Sequence, residues 1–148
     1  MARFHASFRA LPALPQSGPA FDIRTSATDY ALLLSLELTT IASSGSTISL
    51  GIGTPASIGV AKPSGIVLLA EDASTPPNVS VGIDWTTPPT VPAKFLRRVS
   101  VLGSTSGSIR YVFPEGLKIA PSSSLVLWVI TEAAAAAVQF LANVEIDG

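Results

Sequence analysis

The residues that could carry acid–base or nucleophilic chemistry are few. His5 is the only histidine, and the chain has no cysteine. A zinc site built on several histidines, a thiolate nucleophile and a disulfide are therefore excluded, and a serine–histidine pair would have to use His5. His5 lies in a proline-rich segment, which is a poor place to orient a general base. We predict that the chain is not an enzyme and that it has no metal site and no cofactor.

Three other motifs have a chemical interpretation that the sequence does not favour. Glu71 and Asp72 could offer oxygen ligands to calcium, but adjacent acids after a strand are more typical of a solvated turn. The glycine-rich stretch 49–59 is not followed by the helix that a dinucleotide-binding fingerprint requires. Trp85 and Trp128 could stack on a sugar, yet both belong to apolar strand patterns. We expect both tryptophans to pack in the core.

The elements that position these residues are predicted to be β-strands. Apolar residues alternate with polar ones from residue 30 onward, and serine, glycine and proline turns separate the runs. The runs at 30–38 and 47–52 are predicted to form a β-hairpin. Ala133–Ala137 is too short for an independent helix and is interpreted as a loop or a single turn. The fold class is therefore all-β: about eight strands in a β-sandwich or a barrel, and the resemblance described below implies a jelly-roll-like antiparallel β-sandwich.

The same alternation predicts which side chains point into the sandwich. Large apolar residues that recur with a period of two share one face of a strand. The predicted core residues are Leu34, Leu36, Ile83, Trp85, Val99, Tyr111, Leu127 and Phe140.

Residues 1–22 are predicted to form an extended N-terminal arm, and residues 23–148 a single β-sandwich domain. Three prolines within eight residues disfavour regular strand pairing, while the segment is too apolar to remain in water. The arm is expected to bind a partner through Phe4, Phe8, Leu11 and Leu14. In the competing interpretation, the arm lies along its own sheet as an edge strand.

The composition indicates a chain that buries weakly charged surface against neighbours. Hydrophobic residues make up 47% of the sequence and charged residues 13%, which predicts a homo-oligomer, most simply a homotrimer. The net charge of −1 gives no basic surface for nucleic acid, and Arg97-Arg98 is interpreted as a solvated pair. No apolar run approaches the roughly 18 residues that span a bilayer, so we expect no membrane partner and synthesis in the cytoplasm.

The stretch from Arg110 to Ile130, RYVFPEGLKIAPSSSLVLWVI, has a strand, a Pro/Gly turn, a short strand, a small-residue turn and a strand rich in Leu, Val and Trp. It resembles the jelly-roll decoration (cement) proteins of tailed bacteriophages. The likeness covers residues 95–148, and in the first half only the rhythm of strands. It implies a structural virion protein that trimerises on a capsid shell, with the major capsid protein or another virion protein as partner. It implies no active site.

Two alternatives remain open. The first is a carbohydrate-binding or receptor-binding jelly-roll module of a phage tail, which would need exposed aromatic side chains beside converging polar groups. The second is a cupin-type enzyme, which is disfavoured because the metal-binding histidines are missing. The burial of Trp85, Trp128 and Tyr111 distinguishes the first alternative from a decoration protein.

Overall fold

A computed structural model describes residues 2–10, 18–42, 47–71, 76–102, 108–130 and 139–148. Within these ranges every regular element is a β-strand. The strands are β1 (Arg3–Ala10), β2 (Gly18–Thr25), β3 (Ala31–Ala42), β4 (Thr47–Gly53), β5 (Val60–Ala61), β6 (Leu69–Ala70), β7 (Val79–Gly82), β8 (Trp85–Thr87), β9 (Arg97–Leu102), β10 (Ser108–Ile119), β11 (Ser124–Ile130) and β12 (Gln139–Asp147).

Ten of these strands form two five-stranded sheets. Sheet A has the order β10-β3-β12-β1-β6, sheet B has the order β7-β2-β11-β4-β9, and β5 pairs with β8 separately. The long strands pair antiparallel from the two ends of the chain inward: β1 with β12, β2 with β11, β3 with β10, and β4 with β9. A long antiparallel ribbon rolled into two sheets is the jelly-roll arrangement. The all-β sandwich predicted from the sequence is confirmed.

The core lies between sheets A and B, and it is lined by every second residue of the long strands. In β1 the alternation is regular, with Phe4, Ala6, Phe8 and Ala10 buried and the residues between them exposed. The Phe8 ring meets the Phe21 ring of β2 edge to face at 5.0 Å between centroids. This contact places β1 opposite β2, so that β10 and β9 lie at the same end of the sandwich.

The extended arm predicted for residues 1–22 is wrong in the residues that the structure describes. β1 lies inside sheet A, between β12 and β6, and β2 lies inside sheet B, between β7 and β11. The prolines did not prevent this, because Pro12 and Pro15 lie between the two strands, in a segment outside the described residues. The apolar residues of β1 are instead satisfied by the domain's own core. The competing interpretation, pairing with its own sheet, was closer.

The hairpin predicted for residues 30–52 is also wrong. Both runs are strands, but β3 pairs with β10 and β12 in sheet A, whereas β4 pairs with β9 and β11 in sheet B. The connection between them therefore crosses from one sheet to the other. Alternation indicates which face of a strand is buried, but it does not indicate which strand lies beside it.

Most of the predicted core is confirmed, with one correction in β3. Four of its members are buried, namely Leu36, Trp85, Leu127 and Phe140, and three are partly buried against the core, namely Ile83, Val99 and Tyr111. Leu34 is only half-buried, while Leu33 is fully buried. On the β12 side, Glu145 pairs with Ser35 and the next residue, Ile146, pairs with Leu33, so that Leu34 has no partner in that ladder. A bulge at Leu34 adds one residue and reverses the face from there on.

The connection between β4 and β9 carries the four short strands and covers the outer face of sheet B. Val126 of β11 points away from the core yet is fully buried, and Pro55, Pro89 and Pro92 of the connection are buried as well. Gly51 of β4 lies directly beneath the Phe95 ring, where a β-carbon would collide with it. This close approach requires glycine at position 51.

Candidate interaction surfaces

The residues predicted to bind a partner do not form one surface. Phe4 and Phe8 are 0% and 7% exposed and face the core of their own domain. Their predicted role as partner-binding residues is therefore wrong, because a partner could reach them only by opening the sandwich. Leu11 and Leu14 lie outside the described residues.

His5 points outward from β1 and meets a carboxylate. Its Nε2 lies 2.8 Å from Glu71 Oε1, and both side chains are about half exposed, at 46% and 57%. The pair tethers the end of β6 to β1, together with the Glu71 amide, which donates to the Arg3 carbonyl at 2.9 Å. Among the described residues, no three histidine or acidic side chains cluster as a metal site would require.

The outer face of sheet A is polar and uncovered. Ser7, Asn143, Glu37 and Arg110 are neighbours in register across β1, β12, β3 and β10. Glu145 lies in the adjacent row, where it accepts a hydrogen bond from Ser35 Oγ at 3.1 Å. A shallow groove of about 380 Å³ runs over these rows. Charges of both signs alternate on this face, so it has no single electrostatic preference.

The outer face of sheet B is held closed by a buried ion pair. Asp22 is fully buried, and its Oδ2 lies 2.7 Å from Arg24 Nη2, whose side chain is only 12% exposed. The same guanidinium donates to the carbonyls of Ile58 and Gly59 at 2.6 and 3.2 Å. Burial raises the pKa of Asp22, and the hydrogen bond and charge of Arg24 oppose that shift. The pair fastens the β4–β9 connection to β2.

Among the described residues no further strand pairs with the outer edges of β9 and β10, and we call this end of the sandwich the basic flank. It carries Arg97 and Arg98 on β9 and Arg110 and Val112 on β10, with Arg98 over the Phe95 ring and Arg110 opposite Glu37. Burial raises the pKa of the Tyr111 phenol. The positive charge of Arg97 opposes that shift but is the smaller effect. Val112 is 59% exposed. This end thus combines positive charge with uncovered apolar surface.

Several core residues near the basic flank are only partly buried, as Ile66, Leu68 and Ile83 are elsewhere. Val99, Tyr111, Phe113 and Leu117 pack against the core but remain partly exposed, whereas the inward residues of the central strands are buried. The Tyr111 and Phe113 rings stack at 6.4 Å between centroids. Leu96, just before β9, is 52% exposed. Partly exposed aromatic and aliphatic groups at one end of a sandwich mark a surface that a partner can cover.

Among the described residues, no ion pair joins Arg97, Arg98 or Arg110 to a carboxylate, although Arg110 lies opposite Glu37 on the neighbouring strand. Residues 94–118 contain five basic residues and one acid, a net charge of +4, while the rest of the chain has four basic residues and nine acids, a net charge of −5. The basic residues that do form ion pairs, Arg3, His5, Arg24 and Lys62, all lie outside that stretch. Arg98 instead lies over the Phe95 ring at 5.6 Å.

The other edge of sheet A is formed by β6, and we call it the β6 flank: β6 with Val67, Leu69 and Glu71. Val67 and Leu69 are 68% and 66% exposed. Ile66 and Leu68, which alternate with them, pack against the core. The segment therefore closes this end of the sandwich with one side and presents apolar residues and a carboxylate to solvent with the other.

Sequence reasoning missed both flanks, although part of the signal is in the sequence. The excess of basic residues between positions 94 and 118 can be counted directly. Its significance depends on β9 and β10 ending the two sheets at the same side, which only the strand order reveals. Arg97-Arg98 was interpreted as a solvated pair, and both residues are exposed in the structure.

The aromatic residues give no support to a sugar-stacking platform. Trp85 is 8% exposed, and Trp128 and Tyr111 are partly buried. Trp85 therefore packs within the domain, as predicted, while Trp128 lies on the outer side of β11, whose alternate residues Leu127 and Val129 line the core. The described residues also contain no helix long and apolar enough to cross a membrane.

Comparisons with protein-family models, with curated proteins and with solved structures found no match.

Proposed function

We propose that this chain is a structural virion protein that binds and stabilises a tailed-phage capsid shell as a decoration (cement) protein. It acts as a homotrimer, with the major capsid protein or another virion protein as its partner, and it uses no cofactor. This function needs a rigid domain with surfaces for neighbours rather than a reactive centre.

The observation that carries the proposal is the edge of β9 and β10, the basic flank, with which no further strand pairs in the part of the jelly roll that the structure describes. The β4–β9 connection covers the outer face of sheet B, and β6 with its preceding residues closes one end. In the described part of the chain, the β9/β10 end has partly exposed core residues near arginines that form no ion pair. Such a surface is stable in water only at some cost, so its presence favours a role in assembly. The resemblance of residues 95–148 to decoration proteins covers this same flank.

Purification from infected cells tests this function. The chain, carrying an affinity tag and expressed from its natural genome, is recovered and the material that accompanies it is examined by electron microscopy. We expect icosahedral shells with regularly spaced protrusions that disappear when the gene is deleted. Recovery with tails alone, or with no particle at all, would count against a decoration protein.

A further inference from the structure

We infer that the groove across the outer face of sheet A is a binding site for a neutral oligosaccharide. The groove has a volume of about 380 Å³ and crosses the four long strands β10, β3, β12 and β1. This inference goes beyond the proposed function and does not depend on it, because decoration was argued from the basic flank and the groove lies on the face of one sheet.

Two rows of outward side chains form the floor of the groove. The first row runs across the four strands in register and consists of Arg110, Glu37, Asn143 and Ser7. The second row lies two residues further along the strands and consists of Ser35, Glu145, His5 and Leu69. Neighbouring strands lie about 4.8 Å apart, so that a row of four side chains is roughly 14 Å long. This length suits an extended ligand better than a single ion.

The polar residues of the second row are already engaged within the protein. Ser35 Oγ donates to Glu145 Oε2 at 3.1 Å, and Glu145 Oε1 lies 3.4 Å from Arg3 Nη1. His5 Nε2 lies 2.8 Å from Glu71 Oε1. These contacts hold the second row in place and give Glu145 a counter-charge, which leaves ligand recognition to the first row.

The first row keeps its hydrogen-bonding capacity free. Among the described residues, none of its four side chains takes part in a hydrogen bond or an ion pair. Arg110 and Glu37 lie opposite each other in register without forming an ion pair. Glu37 and Asn143 are also partly buried. Polar groups that have lost part of their water and have no partner gain from a ligand that supplies one.

The order of these groups indicates the chemistry of the ligand. The guanidinium of Arg110 only donates hydrogen bonds and the carboxylate of Glu37 only accepts them, while the amide of Asn143 does both. An anion bound at Arg110 would lie beside Glu37, and a cation bound at Glu37 would lie beside Arg110, so like-charge repulsion opposes either. A sugar hydroxyl is uncharged and both donates and accepts, so that neighbouring hydroxyls satisfy adjacent donors and acceptors.

An apolar side chain completes the groove at the β6 side. Leu69 is 66% exposed and lies opposite His5 in register, where the C–H groups of a sugar ring can pack against it. None of the described residues that line the groove is Phe, Tyr or Trp. Recognition therefore relies on hydrogen bonds instead of ring stacking, and we expect weak binding, with a Kd on the order of 1 mM.

An NMR titration of ¹⁵N-labelled protein tests the site, with maltotriose and cellotriose as neutral probes. The side-chain amide of Asn143 lies in the groove, whereas that of Asn78 donates to the Tyr30 carbonyl outside it. We expect at least one of these trisaccharides, at up to about 20 mM, to shift the Asn143 amide signal and to leave the Asn78 signal unchanged. Trigalacturonate, an anionic trisaccharide, should bind about fivefold more weakly because Glu37 repels it.

Substitutions in the first row test which side chains bind the sugar. Glu37→Ala should weaken binding by about tenfold and Ser7→Ala by about fivefold, because a hydrogen bond to a charged group is the stronger of the two. Glu115→Ala is the matched control for Glu37: it makes the same change at an exposed position of β10 outside the groove and should leave the affinity unchanged. The signal dispersion in the same spectra shows that each variant is folded.

Three results would each overturn the inference: no shift of the Asn143 amide with either neutral trisaccharide, tighter binding of trigalacturonate, or an equal loss of affinity in Glu115→Ala. Neither Glu37 nor Ser7 belongs to the basic flank, so the outcomes also separate this inference from the proposed function. A chain that is recovered with shells but whose Asn143 amide does not respond keeps the decoration role and has no sugar site. A chain that binds a trisaccharide in the groove but is never recovered with shells keeps the site and contradicts the decoration role.

Discussion

At the scale of single residues, the position of a side chain relative to a bulge matters more than its identity. Leu34 and Leu36 are alike in chemistry and two positions apart, where simple alternation places them on one face. The bulge between Leu33 and Ser35 separates them, leaving Leu36 1% exposed and Leu34 half-buried. No pattern of apolar residues marks this bulge, because four consecutive positions, 31–34, are apolar.

Truncation of these two leucines should therefore have unequal effects. Leu36→Ala, and likewise Leu127→Ala, should lower the free energy of unfolding by about 2–5 kcal/mol through lost burial and a cavity. Leu34→Ala is the matched control and should cost less than about half as much, since solvent already reaches that side chain. Urea denaturation of the three variants measures the difference. Equal losses at positions 34 and 36 would show that the register across β3 is different.

The buried Asp22–Arg24 pair gives a prediction with a pH dependence. Arg24→Met removes the cation and leaves the Asp22 carboxylate buried without its counter-charge, which should cost about 3–5 kcal/mol at neutral pH. Burial raises the pKa of Asp22 in the folded protein above its ordinary value of 3.8. Between 3.8 and this raised pKa, Asp22 binds more protons in the folded state than in the unfolded state. Lowering the pH through that range therefore increases the contribution of Asp22 to the free energy of unfolding. The loss caused by Arg24→Met should therefore shrink as the pH falls toward 3.8.

Urea unfolding at pH 7 and at successively lower pH values measures this change. The matched control is Lys62→Met, which breaks the exposed Lys62–Asp84 pair, where the Nζ–Oδ2 distance is 2.8 Å. Both partners there are more than half exposed, so little change in stability is expected at any pH. A loss at Arg24 no larger than at Lys62, or a loss that stays constant with pH, would contradict the structural role of the buried pair.

At the scale of elements, strand existence could be predicted from the sequence but strand partners could not. The alternation in residues 108–113 and 139–147 anticipates β10 and β12 because apolar side chains must share one face to reach the core. Prolines near positions 12–19 predict an extended arm because they disfavour a regular strand ladder, but prolines in a connection between two strands have the same spacing. Only the pairing of β1 with β12 distinguishes an extended arm from two strands.

Deletion of β1 should therefore abolish the fold. Removing residues 1–10 takes Phe4 and Phe8 out of the core and leaves β12 without one of its two neighbours in sheet A. We expect no cooperative unfolding transition for the truncated chain at 25 °C. The full-length variant His5→Ser, which changes only an outward position of β1, serves as the control and should unfold like the parent chain. A truncated chain with a sigmoidal transition near that of the parent would show that β1 is an accessory strand.

At the scale of the whole molecule, the candidate surfaces arise from the way the two sheets end. The surplus of basic residues between positions 94 and 118 is visible in the sequence, whereas the open end that gathers them depends on β9 and β10 being the last strands of opposite sheets. Glu71 lies at the edge of sheet A opposite β10 because β6, the strand before it, pairs with β1. Long-range pairing of this kind is set by the complete chain, so local patterns do not reveal it.

The rolled pairing of the strands also determines when the protein can fold. Arg3 of β1 bonds to Asp147 of β12, 144 positions away along the chain, and the four main strand pairs join early residues to late ones. Closing such long loops costs entropy before any contact compensates for it, which slows folding to milliseconds or longer. During synthesis β1 to β4 emerge as apolar segments whose partners do not yet exist. Folding of this domain therefore requires β12 to have been synthesised, and until then the early strands of the nascent chain are prone to aggregation.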